Sequence, residues 1–155
     1  MKFVRAKKHL GQHFLNDELI AKNITDLLSN ETTFALEIGP GMGVLTQFLL
    51  KRDFEIELVE IDKECVFHLQ LNYPKLIGKI TEGDFLQMTL KEKYPKSFSL
   101  VGNFPYNISS QILFKVFENR DQVIEVVGMF QKEVAERIAS NKGKTRGILS
   151  VFIQA

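Results

Sequence analysis

Hydrophobic positions along the chain switch repeatedly between consecutive apolar runs and apolar residues spaced three and four apart. Leu19, Ile20, Ile24, Leu27 and Leu28 predict a first helix, with Asn16 placed to cap it. Phe34-Ala35-Leu36-Glu37-Ile38 reads as a buried strand, ended by Gly39-Pro40-Gly41-Met42-Gly43; a helix through Leu45, Phe48 and Leu49 follows. Residues 55–61 predict a second strand, and Asp62 is placed to cap a helix through Cys65, Val66 and Leu69. Residues 79–83 and 98–102 read as a third and a fourth strand, and Ser109 or Ser110 opens a helix with Ile112, Leu113, Val116 and Phe117 on one face. Residues 123–130 form the most apolar strand, before a helix through Val134 and Ile138 that ends near Asn141-Lys142-Gly143. Leu149, Phe152 and Ile153 fit either a helix or a strand.

Strands alternating with helices predict right-handed βαβ units, hence an α/β fold with a mostly parallel sheet covered by helices on both faces. Ligands of such sheets bind beyond the carboxyl ends of the strands, where the strand order reverses.

Composition narrows the class. The chain has 155 residues, 45% hydrophobic and 25% charged, which argues against disorder and suits one domain. No stretch approaches the roughly 18 apolar residues of a membrane span. The single Cys65 excludes an internal disulfide framework and fits a reducing, cytoplasmic setting. Residues 1–13 are basic but run into His9-Leu10-Gly11-Gln12-His13, so no signal peptide is expected. A net charge of +1 gives no global basic field. Two local basic clusters remain, Lys2, Arg5, Lys7 and Lys8 at the start and Lys142, Lys144 and Arg146 near the end; each is either a phosphate contact or a solubilising face. Cys65 and His68 share a predicted helix without further ligands, so no metal is expected. The sequence stops inside the apolar segment 148–155, and we expect it to be a piece of a longer chain.

The chemistry-bearing residues fall at the strand ends. Glycines let the turn after the first strand approach a ligand closely, although glycine-rich turns also serve packing. Glu60 ends the second strand 21 residues beyond Gly39, the offset at which an acid meets ribose hydroxyls, and Asp84 ends the third. Together they suggest a nucleoside cofactor; the G-x-G-x-G spacing weakens a dinucleotide reading. The fourth strand ends in Asn103-Phe104-Pro105-Tyr106. Alone, this is compatible with a turn and a buried tyrosine. Beside a nucleoside site it has a chemical use: the Asn103 side-chain carbonyl and the Phe104 backbone carbonyl would accept both N–H groups of an exocyclic amine and aim its lone pair at a methyl group. Tyr106 offers a stacking face, and Pro105 fixes the backbone.

These motifs resemble those of the ribosomal RNA adenine-N6,N6 dimethyltransferases, and among them the small-subunit KsgA/RsmA family. The matching stretches are 8–15 (KHLGQHFL), 37–46 (EIGPGMGVLT), 60–62 (EID), 83–86 (GDFL), 102–111 (GNFPYNISSQ) and 131–135 (QKEVA), in the family's order. The resemblance implies a Rossmann-like methyltransferase fold, S-adenosylmethionine as cofactor, and two methyl groups placed on N6 of each target adenosine of small-subunit ribosomal RNA. It places His13, Leu15, Gly39, Glu60, Asp84 and Asn103 on the cofactor, with Gln12, Pro40, Gly41, Ile61 and Phe85 completing that pocket. Glu60 would take the ribose hydroxyls and Asp84 the adenine amino group. Asn103, Phe104, Pro105 and Tyr106 would handle the target base, which must leave its stack. The partner implied is ribosomal RNA in an assembling subunit, acted on by a cytoplasmic monomer with no membrane association.

Two departures from the family pattern bear on the expectation. Family members often carry an aliphatic residue or proline where Phe104 stands; a position acting through its backbone carbonyl should tolerate the change. The family also continues with closing strands, a Phe-x-Pro motif and a small helical RNA-binding domain. Residues 1–155 therefore read as an incomplete methyltransferase domain, expected to bind cofactor with weak or no transfer. The alternatives are a ribosome-assembly factor with secondary or lost catalysis and an enzyme of large-subunit RNA.

Overall fold

The computed structural model of the chain describes residues 4–140. Five strands, β1 (Phe34–Ile38), β2 (Glu55–Glu60), β3 (Ile80–Glu82), β4 (Phe98–Asn103) and β5 (Val123–Met129), pair in the order β3-β2-β1-β4-β5, every pair parallel. Six helices accompany them: α1 (Glu18–Asp26), α2 (Thr46–Leu49), α3 (Lys63–Asn72), α4 (Leu90–Lys93), α5 (Ser109–Glu118) and α6 (Lys132–Ala139). The expected α/β architecture is what the chain adopts. Short 3-10 turns at Lys8–Leu10, Pro74–Leu76 and Phe85–Gln87, and the single turn of α4, were not foreseen, being too short to carry a periodic signal.

β1 is buried at all five positions because both sheet faces are covered. Phe34, Leu36 and Ile38 point into a core shared with Leu90, Phe98, Leu100 and Ile112; Ala35 points into a second core with Ile24, Leu49, Leu58 and Leu69. Two apolar faces explain why this strand is a continuous apolar run broken only by Glu37. The chain builds β2 and β3 to one side of β1 and then crosses to β4 on the other, so the strand order reverses between β1 and β4.

Two local expectations need correction. Asp17, not Asn16, caps α1: its carboxylate accepts from the N–H groups of Leu19 (2.9 Å) and Ile20 (3.0 Å), where a negative charge also suits the helix dipole. The buried face of α1 carries Ala21, Ile24 and Thr25 with Leu28 just beyond, while Leu19, Ile20 and Leu27 are exposed. The most apolar strand, β5, is not the most buried: among the described residues it pairs only with β4, and Ile124 and Met129 remain exposed. The predicted helix end near 141–143, the segment through Leu149, Phe152 and Ile153, the cluster Lys142, Lys144 and Arg146, and Lys2 lie outside the described residues. Among the described residues no helix is long and apolar enough to cross a membrane.

At the amino edge of the sheet Glu125 of β5 gathers the α1–β1 connection. Its carboxylate accepts from the Ser29 N–H (3.1 Å), Ser29 Oγ (2.9 Å), Thr32 Oγ1 (2.8 Å) and Ser99 Oγ (3.0 Å). Burial works against its charge, but these donors outweigh it and hold the carboxyl below the usual range.

Candidate active site

The loop after β1 turns through Gly39, Gly41 and Gly43 at φ +63°, +56° and +86°, a left-handed backbone that side-chain-bearing residues rarely adopt. It is tied to the end of β2 by Glu60, only 2% exposed: its Oε2 accepts from the Gly41 N–H and its Oε1 from the Asp62 N–H, both at 2.9 Å. Burial raises the Glu60 pKa, and these backbone donors oppose the rise. The carboxylate retains acceptor capacity for a ligand beyond these bonds. Glu37 lies buried in β1, where its Oε2 accepts from Thr46 Oγ1 at 2.8 Å. Burial pushes its pKa up to about 8, so it is predominantly protonated at neutral pH. The sequence places Glu37 in a strand and in the matching stretch 37–46 without giving it a site role; the available signal is an acid inside an otherwise apolar run.

Residues 7–15 cross the mouth of the cavity and are tied on both sides. On one side Lys7 Nζ meets Asp62 Oδ1 at 2.7 Å, Gln12 Nε2 donates to Asp62 Oδ2 at 3.1 Å, and the Lys7 N–H donates to Gln12 Oε1 at 2.7 Å. On the other side Asn103 Nδ2 donates to the His13 carbonyl at 2.8 Å, and the His13 ring lies 5.2 Å from that of Tyr106. Lys7 therefore corrects one expectation: it is paired with Asp62 and, at 3.6 Å, Glu64, leaving Arg5 and Lys8 as the exposed described cations of the amino-terminal cluster. Burial opposes the Asp62 charge, yet Lys7, Gln12 and the Glu64 N–H hold its pKa below the ordinary value. Asp62 was foreseen only as the cap of α3; its tie across 55 residues to Lys7 left no local trace in the sequence.

At the end of β3, Asp84 Oδ1 accepts from the Leu86 N–H (2.9 Å) and so caps the Phe85–Gln87 turn. At the end of β4, Phe104 is buried, its ring 4.8 Å from that of Phe130. Gly102 and Gly128 face each other across β4 and β5; a Cβ on Gly128 would stand 2.1 Å from the Gly102 carbonyl oxygen and 2.5 Å from the Phe104 ring. Two glycines thus open the slot that admits a phenylalanine here. Tyr106 is 42% exposed and presents its ring to the cavity mouth.

One cavity of about 460 Å³ lies where the order reverses between β1 and β4. All fourteen predicted residues line it: Gln12, His13, Leu15, Gly39, Pro40, Gly41, Glu60, Ile61, Asp84, Phe85, Asn103, Phe104, Pro105 and Tyr106. Glu37, Met42, Leu86, Asn107, Phe130 and Gln131 line it as well and were not foreseen as site residues. Among the described residues no group of three or more His, Cys, Asp or Glu is placed to hold a metal ion. Cys65 is buried, and burial pushes its thiol up to about 12, too high for a nucleophile. With its Nδ2 occupied by His13, the Asn103 amide has Oδ1 as its remaining branch, one residue from the Phe104 carbonyl. The wall of the cavity thus combines carboxylates, a close-approach glycine loop and two neutral oxygen acceptors.

A family model described as ribosomal RNA adenine dimethylase matches residues 3–155. Proteins named ribosomal RNA small subunit methyltransferase A from Flavobacterium johnsoniae and Cytophaga hutchinsonii are 58% and 55% identical over the whole chain. The chain spans 60% and 62% of their respective lengths. Among solved structures, a dimethyladenosine transferase from Plasmodium falciparum superimposes with a TM-score of 0.77 at 28% identity, over 92% of this chain and 52% of that one. The 23S rRNA methyltransferase ErmE gives 0.69 at 26%, over 81% and 50%.

Proposed function

The chain belongs to the ribosomal RNA adenine dimethylase family, and from that premise we propose that its cavity binds S-adenosylmethionine and directs methyl groups to N6 of adenosines in small-subunit ribosomal RNA. The observation that carries this reading is the Asn103 amide: its N–H side is engaged by the His13 carbonyl at 2.8 Å, which leaves its oxygen to an incoming amine.

The donor set fits the cofactor. Glu60 keeps acceptor capacity for a pair of ribose hydroxyls, the Gly39–Gly43 turn permits close backbone approach, and Asp84 offers a carboxylate to an adenine amino group. When bound, S-adenosylmethionine supplies an electrophilic methyl group on a positively charged sulfur. Everything else falls to the chain. An adenine amine is a weak nucleophile because its lone pair is delocalised into the ring. Asn103 Oδ1 and the Phe104 carbonyl accept its two N–H groups and draw the nitrogen toward tetrahedral geometry, a preference that strengthens as the bond to carbon forms. The exposed Tyr106 ring stacks on the unstacked base and favours the positive charge that develops on nitrogen. Once the methylated, positively charged nitrogen has released one proton to solvent, a single N–H remains, and either acceptor suffices to hold it for the second transfer. The choice of small-subunit RNA is supported by the name of the relatives that match the whole chain, of whose lengths it spans 60% and 62%. Arg5 and Lys8 are the exposed cations at hand for its phosphates.

The test is transfer of labelled methyl groups to unmethylated small subunits, run with the 155-residue chain and with a chain extended to its relatives' length. Dimethyladenosine in the RNA from the extended chain supports the reading. Label on another base, or no cofactor binding by either chain, overturns it.

A further inference from the structure

Lys115, on α5, has no part in the chemistry above. Its Nζ donates to the carbonyls of Leu86 at 2.9 Å and Met88 at 2.5 Å, and lies 5.6 Å from the centroid of the Phe85 ring. Among the described residues it forms no ion pair with a carboxylate. Burial lowers its pKa, while the more distant Glu118 and Asp84 act in the opposite direction. A half-buried ammonium without a carboxylate partner is unfavourable unless its donors are used. Here they are used on the carboxyl end of the Phe85–Gln87 turn, where carbonyls lack backbone partners and the local dipole is negative. The Leu86 residue is gripped at both ends: its N–H by Asp84 Oδ1 at 2.9 Å, its carbonyl by Lys115.

We infer that Lys115 is the positioning residue for the adenine end of the cofactor: by holding the Leu86 and Met88 carbonyls it fixes the turn that aims Asp84 and Phe85 into the cavity. This rests on the cofactor reading above. Asp84 Oδ1 is committed to the turn, and among the described residues Oδ2 has no hydrogen bond to the protein. A carboxylate oxygen held in place accepts from an adenine amino group and repels the carbonyl oxygen that hypoxanthine carries at the same position. Discrimination between those two bases therefore measures how firmly Asp84 is held, which overall affinity does not.

The experiment compares binding of S-adenosylhomocysteine and S-inosylhomocysteine to the full chain by calorimetry, in wild type, Lys115→Met and Lys115→Arg. Wild type should prefer the adenine compound by about 100-fold. Lys115→Met should shrink that preference about tenfold or more, and Lys115→Arg, which keeps a cation with several donors, should restore most of it. Lys115→Gln, neutral and too short to reach both carbonyls, replaces Lys115→Met if that variant does not fold and should lose the preference likewise. An unchanged preference in the neutral variants, or equal weakening of both ligands, overturns the inference and leaves the cofactor reading standing. Failure of wild type to bind either ligand overturns the cofactor reading itself, and the inference with it.

Discussion

The side-chain amide of Asn103 donates to the backbone carbonyl of His13 across 2.8 Å, joining two residues 90 positions apart at the rim of one cavity. Since a carbonyl can only accept, this contact decides which way round the amide sits and leaves its oxygen as the free branch. Asn103→Asp keeps two oxygen acceptors but sets a carboxylate against that carbonyl, and Asn103→Ala removes the acceptor. In an active extended chain both should lower single-turnover transfer by about 100-fold or more. The Ala variant should hold cofactor affinity within about tenfold, since the interaction it removes is realised in the transition state. Near-normal transfer by either would remove Asn103 from the chemistry.

Glu37 makes stability depend on pH in the unusual direction. The folded chain keeps its proton up to about pH 8, whereas the unfolded chain releases it near the ordinary value of 4.5. Between those limits the folded state binds the extra proton, so this group's contribution falls as pH rises through the window and levels off above it. Glu37→Gln retains an acceptor for Thr46 Oγ1. Its urea midpoints should be flatter between pH 5 and 8 than those of wild type (roughly the interval the two limits enclose).

Glu125 acts in the opposite sense. Its folded pKa is lowered, so its stabilisation is fully present above the ordinary carboxylate value and is lost as pH falls through the folded one. Glu125→Gln turns an amide N–H toward hydroxyls and an N–H that already donate. It should cost about 1–3 kcal/mol at pH 7 by chemical denaturation. The difference from wild type should shrink as pH falls from the ordinary carboxylate value through the lower folded one, where the wild-type side chain becomes neutral as well.

Gly128→Ala introduces a Cβ against the Gly102 carbonyl oxygen, where only 2.1 Å is available, and against the Phe104 ring. Strand β5 must shift, at a cost of about 1–3 kcal/mol or more in unfolding experiments. The displaced Phe104 carbonyl should reduce methyl transfer by a larger factor than cofactor affinity.

Glycines, acids and the Asn-Phe-Pro-Tyr run were legible because strand ends are local: an apolar run followed by Gly39, Glu60, Asp84 or Asn103 marks both an element and its carboxyl edge. The α/β alternation was legible for the same reason. The ties were not. Asp62 with Lys7, and Lys115 with Leu86, are contacts set by how helices and the amino-terminal segment settle on the sheet, and no spacing rule encodes them. The cap of α1 shows the finer limit: Asn16 and Asp17 are both good capping residues, and the choice depends on where the chain enters the helix. Phe104 was read through its backbone alone; its side chain has a slot only because Gly102 and Gly128, 26 positions apart, fall on the same rung.

The segment from Lys7 to Leu15 answers to both ends of the cavity at once, through Asp62 on one side and Asn103 on the other. A cofactor that steadies this segment couples its two anchorages. Whatever factor a cofactor gains by steadying this segment is the factor by which it favours the Asn103 orientation that receives a base, and linkage requires the reverse as well: a base seated on Asn103 slows the escape of the cofactor or speeds its capture in the same proportion.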